Sequence, residues 1–427
     1  MYFQETGDLA TETLQFLSSR TPVPHLFPRL TRLSVYLGGF GQSFADMLVG
    51  PQLKAIVIAN GDEMSALTLL EKIRYIAGPL ESIIMQFDTP SSTRIDETLA
   101  SIISRSRHLR SLVLKNQTIP PDLFAHVAAM TSLQKLSFNI ANGSSLARIL
   151  EPARSTPFAA LRSLQLVVYD LQSSSVIASL EAAEVPHLQD FSIECKEQPC
   201  IQDLQLLFQG ISTHRGIHSL YITLPGTDNA EDADPEFLDF QVLKPLFQLP
   251  HLKQLTIWGF PVRFKSGEIV QIARSLPNIR VLEFEPEGHE IPTDPPTLKE
   301  LVHFAEYCPN LNVLSIWIDA SDVPIGNGRP GRGHACESLE AFGPGFSPID
   351  SSEAVAIFFS DVFPNAAIGI IPVEGVWVNT PDIRKWDHVS DLIGLLSQVR
   401  RQERWSQKHD QVPTGNSEVE DPYTGSG

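Results

Sequence analysis

Several residue groups in this sequence are of types that could do chemistry. Cys195 and Cys200 form the closest cysteine pair. A zinc site takes four ligands, often as two close pairs, and Cys308 and Cys336 supply no second pair. His334 beside Cys336, and His303 ahead of Cys308, add imidazoles without metal-binding spacing. The cysteines therefore read as buried thiols, small apolar side chains rather than ligands. Asp228, Asp232 and Asp234 invite calcium, but the glycine and distal glutamate of an EF-hand loop are missing. The glycines between Gly326 and Gly333 lack the Gly-Lys-Ser/Thr ending of a phosphate loop, and Pro330 interrupts them. Ser347 does not stand in a Gly-x-Ser-x-Gly elbow. Glu283 and Glu285 are paired by strand alternation, which alone does not make a hydrolytic dyad. No active site, metal or cofactor is expected, and the chain reads as a non-enzyme.

The elements that must position these residues repeat along the chain. The pattern is apolar, two variable residues, apolar, variable, apolar: Leu30-x-x-Leu33-x-Val35, Leu53-x-x-Ile56-x-Ile58, Leu80-x-x-Ile83-x-Met85. It returns, among other places, at Leu109, Leu133, Leu161, Leu188, Ile217, Leu252, Ile279 and Leu311, with a weaker copy at Leu339 and Phe342. This gives about 12 irregular repeats of mean period about 28, within the range of leucine-rich repeats. The terminal alternation puts two apolar side chains on one face of a short strand and sends the residue between them to the other face. Helical spacing follows in Ile95, Leu99, Ile102 and Ile103, and again in Leu298, Leu301, Val302 and Ala305. Prolines just ahead of the strands, such as Pro28, Pro186, Pro250, Pro277 and Pro309, should end each helix and preset an extended return. One strand-helix unit cannot bury its own apolar face, so the units must stack. The expected fold is an α/β leucine-rich-repeat solenoid, curved, with parallel strands on the concave face and helices on the convex face.

Residues 27–345 make the solenoid in this reading, with loop inserts at 226–240 and 320–335, after an N-terminal cap or linker at 1–26. Residues 346–405 add a final repeat and a capping helix carrying Trp386, Val389, Ile393, Leu396 and Val399. Arg400, Arg401 and Arg404 should favour its C-terminal dipole. The polar tail 406–427 is expected to be disordered. The chain is 427 residues long with a formal net charge of −18, and no strong basic patch stands out along it. That balance disfavours nucleic acid and anionic lipid as partners. No signal-like segment opens the sequence, and the few cysteines point to a reducing compartment, cytoplasm or nucleus.

The working surface should be the concave face. Three neighbouring strands offer Gln254, Thr256 and Trp258, then Val281, Glu283 and Glu285, then Val313, Ser315 and Trp317, with Tyr221 one strand earlier. Tryptophan is enriched at binding hot spots. Tyr221, Gln254, Trp258, Glu283, Glu285 and Trp317 are therefore the candidate contacts for a basic, partly apolar protein segment. The competing possibility is that neighbouring inserts bury the tryptophans.

The repeats, together with the ending Gly345–Asp350, Val355–Phe359, Val362–Asn365, Trp386, Val389 and Arg400–Glu403, resemble fungal, basidiomycete-type F-box/leucine-rich-repeat proteins. The resemblance covers roughly Phe27 to Arg404. It implies the substrate-recognition region of a ubiquitin-ligase receptor. It also implies the cullin ligase's adaptor as a partner, on condition that an F-box lies upstream. Met1–Leu26 show no Leu-Pro-x-Glu opening, so a scaffold or adaptor with no ubiquitin link stands beside that reading.

Overall fold

A computed structural model of the chain describes residue 16 and residues 27–36, 48–59, 63–87, 92–119, 121–140, 158–171, 185–225, 237–284, 294–323, 329–369 and 381–410. The strands are β1 (Arg32–Tyr36), β2 (Ala55–Ala59), β3 (Ser82–Gln86), β4 (Ser111–Thr118), β5 (Lys135–Ile140), β6 (Ser163–Val168) and β7 (Asp190–Cys195). They continue as β8 (Ser219–Thr223), β9 (Gln254–Trp258), β10 (Val281–Phe284), β11 (Val313–Ser315), β12 (Ala341–Gly343) and β13 (Ala367–Ile368). All are parallel, and their order in the one sheet is their order in the chain.

Pairing aligns equivalent motif positions. Leu33 stands beside Ile56, Ile56 beside Ile83, and Ile83 beside Leu112. The same register runs on through Leu220, Leu255, Leu282, Leu314 and Phe342. A slip of one residue would turn this whole apolar row to solvent, so the pattern itself holds the register. The row is buried from Leu33 to Phe342.

The described helices are α1 (Glu63–Ile76), α2 (Thr93–Arg105), α3 (Pro121–Ala128), α4 (Ile201–Ser212), α5 (Phe240–Leu243), α6 (Glu268–Ser275), α7 (Leu298–Tyr307), α8 (Ser352–Val362) and α9 (Pro381–Asp410). Ile95, Leu99, Ile102 and Ile103 face inward from α2, as do Leu298, Leu301, Val302 and Ala305 from α7. Thr297 and Glu300 form a capping box at the start of α7, satisfying N–H groups that have no partner within the helix. Neighbouring helices pack ~8–10 Å apart and neighbouring strands ~4.8 Å apart, so a stack of such units bends with its strands inside.

The prolines act differently from the sequence reading. In Phe27–Leu30, Leu249–Leu252, Leu276–Ile279 and Cys308–Leu311 the last N–H donates to the first carbonyl, at 3.0, 3.4, 3.1 and 3.1 Å. Proline is the second residue of each of these turns, where its fixed φ favours a reverse turn over an extended return.

The inserts are narrower than the sequence reading gives. Residues 226–236 lie outside the described residues, but Leu238 is fully buried, bridges Val262 and leads into α5. In the second insert, 324–328 lie outside the described residues. Ala320 bridges Ile349, and the Gly331 N–H donates to Asp361 Oδ2 at 3.1 Å. Asp361 is only 4% exposed, and a carboxylate buried that deeply must recruit donors.

The segment expected to cap the stack contains α9, whose backbone runs from Pro381 to Asp410. Trp386, Val389 and Ile393 are buried, but Val399 is exposed and Ser397 takes the inward place. Arg400 does not serve a helix end. It donates to Asp361 Oδ1 at 2.9 Å and to the Ile357 carbonyl at 3.2 Å, tying α9 to α8. The expected N-terminal cap, apart from Phe16 and residues in and after Phe27, and the tail beyond Asp410 lie outside the described residues.

Candidate functional site

Tyr221, Gln254, Trp258 and Glu283 sit on the sheet face opposite the buried leucine row, and no described helix packs on that face. Parallel registration places Ser192, Tyr221, Thr256, Glu283, Ser315 and Gly343 in one row across β7 to β12. Gln254 belongs to the adjacent row with Ser219 and Val281. Trp258 belongs to the next row on the other side, beside Thr223.

Tyr221 is 40% exposed and Trp258 is 42% exposed, so the described residues do not cover them. Between them the floor is small and polar. Thr256 and Ser315 are buried. Thr256 Oγ1 donates to Glu283 Oε2 at 3.0 Å, and Ser315 Oγ donates to the Gly343 carbonyl at 3.2 Å. A Cβ on Gly343 would stand 2.7 Å from Ser315 Oγ, so the Ser315 hydroxyl would have to swing aside to admit a larger residue there. Glu283 is half-buried, with one oxygen fixed by Thr256.

The Gln254 side chain lies near the Tyr221 hydroxyl and slightly favours its ionised form. Burial pushes the Tyr221 phenol up from its ordinary value, and the nearby Glu283 charge pushes the same way. The phenol therefore stays protonated at neutral pH and remains a donor. Tyr221, Gln254 and Glu283 thus form one connected group, with Trp258 beside it. Trp317 lies two residues past β11 and is half-buried. Glu285 lies outside the described residues.

Sequence reasoning passed over Tyr169. It is 56% exposed and stands one alternation step beyond Val167 in β6. The same period-two phase that singled out Trp258 would have found it.

Cys195, Cys308 and Cys336 are buried packing groups, whereas Cys200, also expected to be buried, is only half-buried at the start of α4. Burial pushes the Cys195 thiol up to about 12, and burial with Cys336 nearby does the same for Cys308. Cys200 Sγ donates to Asp203 Oδ2 at 2.9 Å, which also raises its pKa. Among the described residues no group of three or more potential ligands could hold a metal ion. At pH 8 a thiol of pKa about 12 is ionised only about one part in ten thousand, and the thiolate is the reactive form. Native protein treated with a chromogenic disulfide reagent at pH 8 should thus leave Cys195 and Cys308 unmodified, and urea should release both. Rapid labelling of Cys308 in the folded chain would contradict the packing described here.

The chain matches no family model and no curated protein sequence. Among solved structures it is similar to an internalin, inlF, from Listeria monocytogenes. The two share 15% identity over 81% of this chain and 88% of that chain, with a TM-score of 0.42. The chain is a leucine-rich-repeat solenoid. That statement rests on the thirteen parallel strands among its described residues, in sequential order, and the leucine ladder beneath them. No described helix is long and apolar enough to cross a membrane.

Proposed function

We propose that this solenoid is a protein-binding module that holds its partner on the concave face, and that it is not an enzyme. The observation that carries the reading is the pair of exposed aromatic rings, Tyr221 and Trp258, on a floor of buried small polar residues. Solvent-facing strand positions have no structural need for such rings, and burying them against a partner releases apolar surface. Glu283 beside them favours a segment that carries Lys or Arg. A cation over either ring adds about 0.5–2 kcal/mol.

The finer reading is a substrate receptor of a ubiquitin ligase acting in the cytoplasm or nucleus. It rests on the resemblance of the repeats and of Gly345–Glu403 to F-box/leucine-rich-repeat proteins. Co-purification of the ligase adaptor with the native protein supports that reading, and stable partner binding without it supports a scaffold.

The concave-face reading is tested with Trp258→Ala combined with Trp317→Ala. The double variant should melt like the wild type and lose at least about tenfold in partner affinity, as removal of hot-spot residues does. Undiminished binding by a folded double variant would overturn the reading.

A further inference from the structure

One backbone feature recurs at the N-terminal end of nearly every strand. A single carbonyl, on the residue after the first motif leucine, accepts two N–H groups from the next repeat. The Arg110 carbonyl takes Gln134 and Lys135 at 2.8 and 3.0 Å, and the Lys253 carbonyl takes Arg280 and Val281 at 2.7 and 3.0 Å. The chain of bonds runs from Thr31 to Asn312 without missing a strand. It stacks one residue per repeat into a file along this edge of the sheet.

The file collects positive charge in a chain of net charge −18. From β4 to β10 its exposed members include Arg110, Arg162, Lys253 and Arg280, with half-buried His218 among them and exposed Lys135 one residue on. The residues lie close enough to sense one another. Burial, then Lys253, then His251 lower the His218 pKa, and the His218 and His251 rings lie 6.0 Å apart. In the same span the file and its next position carry one carboxylate, Asp190. Among the described residues, none pairs with Arg110, Lys135, Arg162, Lys253 or Arg280 as a salt bridge. Lys54, by contrast, is paired with Glu81 at 2.9 Å. Lys253 and Arg280 stand on adjacent strands and repel one another, which costs stability in the free protein, while Gln134 and Gln189 space the other cations two strands apart.

We propose that this edge is a second docking surface, which takes an extended acidic segment of a partner protein. The proposal does not rest on the concave-face reading, since its file residues are not among the concave contacts, although Lys135 shares a strand row with Gln254. Six strand intervals from β4 to β10 span ~29 Å, which an extended peptide covers in about nine residues. Nucleic acid fits less well. Its charges come every ~1.7 Å of duplex and continue past the edge, toward the carboxylates of the remaining surface. The file also lacks Trp, Tyr and Phe on which bases could stack.

The test is fluorescence anisotropy on the full chain, with a labelled peptide of about ten glutamates and a single-stranded DNA of about ten nucleotides, at low and at physiological salt. The wild type should bind the peptide at low salt and bind it more tightly than the DNA. Arg162→Glu, Lys253→Glu and Arg280→Glu together should weaken peptide binding at least about tenfold with unchanged melting, because none of the three side chains holds the fold together. Arg94→Glu with Arg384→Glu, which adds negative charge on helices away from the file, should have little effect. No peptide binding by the wild type, equal binding by the triple variant, or tighter binding of the DNA would each overturn the proposal. In the last case the edge is a nucleic-acid surface. Partner capture by the Trp258 and Trp317 double variant is a separate readout, so either reading can fail alone.

Discussion

Trp386→Ala should cost about 3–5 kcal/mol, the usual range for removing a fully buried aromatic. Among the described residues Trp386 is the largest fully buried side chain. Its ring lies 6.0 Å from Phe342 and 6.3 Å from Phe359, edge-on to the latter at 88°. Its Nε1 donates to the Ser347 carbonyl at 2.9 Å, and Ser347 Oγ in turn accepts the Ile318 N–H at 2.9 Å. Truncation thus opens a cavity and also leaves a buried carbonyl without its donor. In a solenoid each repeat contacts only its neighbours, so the loss should begin at this end. Limited proteolysis should cut α9 first while β4 to β9 stay protected. Denaturation should split into an early C-terminal phase and a later central one. A single transition at the wild-type midpoint would show that α9 does not cap the stack.

Gly259→Ala should cost about 2–4 kcal/mol, combining the penalty of a side chain at positive φ with that of overpacking. Gly259 has φ +80, and an ideal Cβ there would lie 1.8 Å from the Leu224 carbonyl oxygen. Backbone must shift to admit it. One bond at risk is Leu224 N–H to the Trp258 carbonyl, 2.8 Å, which joins the ends of β8 and β9. Because Trp258 precedes this glycine, the variant should lose partner affinity as well as stability. Gly267→Ala is the control: its φ is +84, but nothing lies within 4 Å of the added carbon. It should cost only about 1 kcal/mol, and equal urea midpoints for the two variants would contradict the steric account.

The strands were legible because their signal is redundant. Each motif copy repeats the same inward pair, and the sheet accepts only one alignment of those pairs. β13 was not legible. Ala367 and Ile368 carry no leucine motif, and the strand is placed by Ala367 N–H to the Glu340 carbonyl and Ile368 N–H to Ser390 Oγ. The roles of Arg400 and Val399 were missed for a related reason. Asp361 lies far from Arg400 in sequence, and this long-range partner decides which face of α9 turns inward.

Of the candidate contacts, Tyr221, Gln254 and Glu283 do meet, because strand alternation and register together determine adjacency. Trp317 falls outside the strand alternation because β11 ends at Ser315. The file of cations was invisible for the opposite reason. Its members are separated by whole repeats, so no window of sequence contains two strands' worth of them.

The central claim is that the concave sheet face carries the partner. The most direct measurement is photo-crosslinking from two positions in the full chain. One probe replaces Thr223, exposed on the sheet beside Trp258; the other replaces Leu206, exposed on α4 on the outer side. The account predicts that the partner crosslinks from position 223 and not from 206. Crosslinks from 206 alone, or equally from both, would contradict it.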